Sequence, residues 1–107
     1  RISRQIAKYN IQDKSIHDIC SRIMYIRQRF KMLNIPQSVL DETSQVMIGS
    51  DYDEKSMRHT LDEMHLSKFA SYTMALLEFN SSLTEGFMPI DSIDGKVVSC
   101  MQKLIIN

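Results

Sequence analysis

Ser15-Ile16-His17-Asp18-Ile19-Cys20-Ser21-Arg22-Ile23-Met24-Tyr25-Ile26-Arg27-Gln28-Arg29-Phe30-Lys31-Met32-Leu33 is the stretch from which the fold is read. Its apolar residues Ile16, Ile19, Cys20, Ile23, Met24, Ile26, Phe30 and Leu33 recur at steps of three, four and seven. Those steps trace one face of an α-helix; a strand would need alternation. Asp13 or Ser15 can cap its start by accepting a hydrogen bond from the free amides of the first turn. The expectation is an amphipathic helix over about 15–33 with Leu33 on its inward face.

The same reading extends in both directions. Upstream, Ile2, Ile6 and Tyr9 suggest only a weak helix or a tail over 1–12. Downstream, Asn34-Ile35-Pro36 ends the long helix, because the residue before a proline is driven out of the α region. Pro36 suits the first turn of a second helix, about 36–48, with Val39, Leu40, Val46 and Met47 inward and Gly49 as a left-handed cap. Asp53 can cap a third over about 54–64, on Met57, Leu61 and Met64. Ser67 can cap a fourth over about 67–82, the most apolar of the set. A last helix, about 95–106, follows the long loop Thr84–Gly95, and its valines and isoleucines leave a terminal strand as the alternative.

A chain of 107 residues holds one domain, 1–107. With 43% apolar and 24% charged residues it has the composition of a folded globule. Three Gly and two Pro offer too few turns for a β-sandwich or barrel. The fold class is therefore all-α, a compact bundle of five or six short helices. The chain opens at Arg1 without Met or signal peptide, which reads as a fragment of a longer protein. Its apolar runs are far shorter than the ~20 residues of a membrane span.

Catalytic and metal-binding patterns are sparse. Cys20 and Cys100, eighty positions apart, form neither a disulfide framework nor a C-x-x-C zinc half-site. Apolar neighbours suggest that both are buried thiols in a reducing, intracellular compartment. His17 and Cys20 share a helix face, but no third group orients them as a base and a nucleophile. His59 and His65 lack the i, i+4 spacing of a zinc helix. Asp51-Tyr52-Asp53-Glu54 lacks the glycine and terminal glutamate of a calcium loop, so capping explains it better. Asn80-Ser81-Ser82 matches a glycosylation sequon in form only. Eight methionines fit core positions better than a binding surface. The chain reads as a non-enzyme with no cofactor and no metal.

Charge is the informative property. The formal net charge is zero, yet residues 1–33 carry +6 (eight basic, two acidic) and residues 34–107 carry −6 (five basic, eleven acidic). Arg22 and Arg29 share one stripe of the long helix, Arg27 and Lys31 another, with Tyr25 among them as a stacking ring. These five residues are the candidate contacts to nucleic acid or a partner. The competing reading pairs the stripe internally with Asp41, Glu42, Asp62 or Glu63.

Ile35-Pro36-Gln37-Ser38-Val39-Leu40 and Met57-Arg58-His59-Thr60-Leu61-Asp62-Glu63-Met64-His65-Leu66-Ser67-Lys68-Phe69 together resemble the late transcription factor 3 family of large DNA viruses. That family carries an arginine-led helix, a leucine, then lysine before an aromatic pair. Here Ala70 follows Lys68-Phe69, and the second aromatic comes at Tyr72. The resemblance spans about residues 15–90 and rests on helix-packing patterns, without the family's zinc ribbon. A shorter stretch, Ile35-Pro36-Gln37-Ser38-Val39, also resembles the opening of a cyclin-like repeat in general initiation factor B. The resemblance implies a transcription-factor-like domain that binds DNA, RNA or transcription machinery, in the nucleus or at a viral replication site. The alternative is a protein-interaction or assembly domain without nucleic-acid contact. Neither reading specifies an oligomeric state.

Overall fold

A computed structural model describes all 107 residues. Six α-helices, α1 (Ile2–Ala7), α2 (Lys14–Lys31), α3 (Gln37–Gly49), α4 (Glu54–Glu63), α5 (Ser67–Asn80) and α6 (Lys96–Lys103), hold about two thirds of the chain. They are joined by a 3-10 turn at Glu85–Phe87 and by two short strands, β1 (Ile35–Pro36) and β2 (Ile105–Ile106). The all-α bundle expected from the periodicity is the architecture found. Its Cα radius of gyration, 12.7 Å, matches the ~13 Å of a close-packed chain of this length.

α2 and α5 are the axes of the bundle. α2 packs against α1, α3, α5 and β1, while α5 packs against α2, α3, α4 and α6. Ile16, Ile19, Cys20, Ile23 and Ile26 of α2 enter the core, where they meet Leu40 and Met47 of α3, Met57 and Leu61 of α4, and Met74, Leu76 and Leu77 of α5. Met24, Met47, Met57, Met64, Met74 and Met101 are all buried, so methionine here is core filler. Asp13 caps α2, its Oδ1 accepting from the amides of Ser15 and Ile16 at 2.8 and 3.1 Å. Asp53 caps α4 by accepting from the Ser56 amide at 2.9 Å. Both use the Asx-type capping read from the sequence.

Several local expectations are corrected. Residues 1–12 are not a tail: α1 lies on α2 and buries Ile6 completely. α2 stops at Lys31, and Leu33 turns outward with φ 65° and 71% of its surface exposed. Pro36 does not enter the second helix; it is the extended residue before α3 and pairs with Ile106. Gly49 ends α3 without a left-handed cap, and the chain leaves through extended Ser50. Ser67 is already inside α5, and its hydroxyl donates to Asp62 Oδ1 at 2.5 Å instead of capping. Cys100 is exposed.

The terminal segment satisfies both of its sequence signals in turn. Val98 and Met101 seat α6 against the core, then Ile105–Ile106 straightens and pairs in parallel with Ile35–Pro36. The Ile35 amide donates to the Leu104 carbonyl at 2.9 Å. The loop before α6 is held by the Ile93 amide, which donates to the Ser71 carbonyl at 3.0 Å. Gly95 opens α6 at φ 153°, a conformation that suits a residue without Cβ.

Candidate nucleic-acid interface

The cations of α2 divide between two flanks of the helix, and their surroundings differ. On the flank toward α3, Arg22 Nε donates to Asp18 Oδ1 at 3.0 Å, and its Nη1 lies 3.8 Å from Glu42 Oε2. Arg29 turns to the end of its own helix, where Nε donates to the Asn34 carbonyl at 3.2 Å and Nη2 to the Asn34 side chain. These two guanidinium groups are engaged in holding α2, its exit and α3 together. The internal-pairing reading therefore applies to Arg22 through Glu42. Asp41 instead accepts from Gln37 and Ser81, Asp62 from Ser67, and Glu63 faces His59 at 3.5 Å.

On the other flank Arg27 and Lys31 make no ion pair and no hydrogen bond within the protein. Four residues apart, they stand one turn, about 6 Å, from each other along α2. They face α1, which lies on α2 and brings Gln5, with Arg1 and Lys8 at its two ends, to the same groove. The result is a groove made of two adjoining clefts of about 170 and 160 Å³ that share Gln5, Met24 and Arg27. Arg1, Ile2, Gln28 and Lys31 complete one cleft; Lys8, Tyr9, Met64 and Leu66 complete the other. Four cations line the groove and no carboxylate does. Mutually repelling cations left without a counter-charge attract anions and steer them inward.

Of the five candidate residues, the groove gathers two, Arg27 and Lys31. Arg22 and Arg29 lie on the opposite flank, and Tyr25 is 38% exposed on the outer face, outside the groove lining. The aromatic ring of the groove is Tyr9, with Lys8 Nζ 5.5 Å from its centroid. Arg1, Lys8 and Tyr9 escaped the sequence reading because 1–12 carries too weak a period to show where its polar side faces. The one available signal was the surplus of Arg1, Arg4 and Lys8 without an acidic residue nearby.

The alternatives for chemistry have concrete structural positions. Cys20 is fully buried, with Sγ 4.0 Å from Met57 Sδ, and burial pushes its thiol up to about 12. A neutral, enclosed thiol is not a nucleophile. No three His, Cys, Asp or Glu side chains stand together as metal ligands, and no helix is long and apolar enough to cross a membrane. Hydrogen bonds from the Ser56 side chain and backbone hold the Asp53 carboxyl below its ordinary range, as befits a helix cap. Burial, aided by the Glu54 carboxylate, raises the Tyr52 phenol. Comparison with protein-family models, curated proteins and solved structures returned no match.

Proposed function

We propose that this chain is a non-enzymatic domain of a viral late transcription factor 3-like protein, engaging nucleic acid through the α1-facing flank of α2. The observation that carries the reading is the pair of unpartnered cations, Arg27 and Lys31, in a groove without carboxylates. Phosphate neutralisation by such cations is the sequence-independent part of nucleic-acid affinity. The family resemblance supplies the transcriptional setting. Its motif residues Met57, Leu61, Met64 and Leu66 are buried, so they build the scaffold that presents α2.

A mobility-shift titration at low salt, with mixed-sequence DNA and RNA in single-stranded and duplex forms, tests the reading. Binding should weaken steeply as salt rises. Replacing Arg27 and Lys31 together by Gln should weaken it about equally across sequences and reduce the salt slope by about two. If no nucleic acid binds at low salt, the proposal fails. The second reading, a protein-docking domain, draws on Met32 and Leu33, large apolar side chains exposed where the chain leaves α2.

A further inference from the structure

We infer that the α1–α2 groove seats a single nucleic-acid strand rather than a duplex, with α1 as its second wall. The inference rests on the nucleic-acid reading above and adds the form of the ligand and the residues on α1. Three observations carry it. First, the cations stand on both walls: Lys8 and Arg1 on the α1 side, Arg27 and Lys31 on α2. The two adjoining clefts, about 170 and 160 Å³, are large enough for a phosphate or a base of one strand and far too small for a double helix. Second, the floor includes Tyr9, half-buried and flanked by Met24. A ring recessed there can stack only on a base free of its complement. Third, Gln5 and Gln28 line the groove with side-chain amides that carry both donors and an acceptor, which suits base edges without fixing a sequence.

The span sets the stoichiometry. Arg1 to Lys8 covers about 10 Å at 1.5 Å per residue. A run that short meets only a few phosphates of an unpaired strand, so the groove makes few contacts. The neighbouring cleft beyond Tyr9 contains Asp13 and Glu63, which would repel a continuing backbone and terminate the track on that side.

Fluorescence anisotropy of the 107-residue chain with a labelled oligothymidine, against a blunt duplex of equal length, tests this. The strand should bind about ten-fold more tightly than the duplex, in line with base stacking on an aromatic ring. Lys8→Gln, an exposed position where folding is not at stake, should weaken strand binding and lower its salt slope by about 0.7. Tyr9→Leu should weaken strand binding with the slope unchanged, with circular dichroism confirming that the variant is folded. If the duplex binds as well as the strand, and only the Arg27 and Lys31 variants matter, α1 is no wall and the inference is wrong while the α2 reading stands. If neither ligand binds, both fail.

Discussion

Cys20 and Cys100 carry the same thiol into opposite environments. Cys20 lies under α4 against Met57, with its thiol pushed up to about 12 by burial. Cys100 looks out from α6. Ellman's reagent at mildly alkaline pH should therefore modify one thiol per native chain, Cys100, and two after denaturation. Rapid modification of both in the native protein would mean that α4 does not cover α2 as described. The outward aspect of Cys100 was readable from helical angles, not from its neighbours. Val98 and Met101 mark the inward direction of α6, and position 100 is two residues, about 200°, from Val98. Apolar neighbours in sequence misled because adjacent helical residues point apart. Asp13 and Asp53 were legible for the converse reason, since a cap depends on local spacing alone.

At the level of elements, the two flanks of α2 have separate duties. Arg22 and Arg29 have partners within the fold, so replacing both by Gln should lower stability while leaving nucleic-acid binding nearly intact. Arg22 is half-exposed and its ion pairs contribute little, whereas Arg29 satisfies the Asn34 carbonyl in the exit from α2, so the combined cost is about 1 kcal/mol. That should appear as a melting temperature lowered by about 4–8 °C. An unchanged melt with weakened binding would restore these arginines to the interface. The stripes themselves were legible from spacing. Asp18, four residues before Arg22, was also within reach of spacing; the second acid was not, since Glu42 reaches Arg22 only through the packing of α3 on α2. The same limit hid α1, whose one buried anchor, Ile6, has meaning only once α2 is there to receive it.

For the molecule as a whole, helical periodicity was enough to read the class, because four of the six helices, α2, α3, α4 and α6, bury a face that repeats at three and four. The parallel pairing of β1 with β2 was beyond such a reading: two residues have no period, and their partners lie on the far side of four helices. Ending the chain after Leu104 should uncover the surface that Ile105 covers, costing about 1–2 kcal/mol of apolar burial. A melting curve unchanged by that truncation would show the pairing to be dispensable. The pairing also bears on how the protein is made. Ribosomes add roughly 5–20 residues each second, so Ile105 leaves the synthesis site roughly 4–14 s after Ile35. During that interval the foot of α2 and the start of α3 wait without their cover. A holding chaperone would have its opportunity there, before the last strand adds its share of the apolar cover.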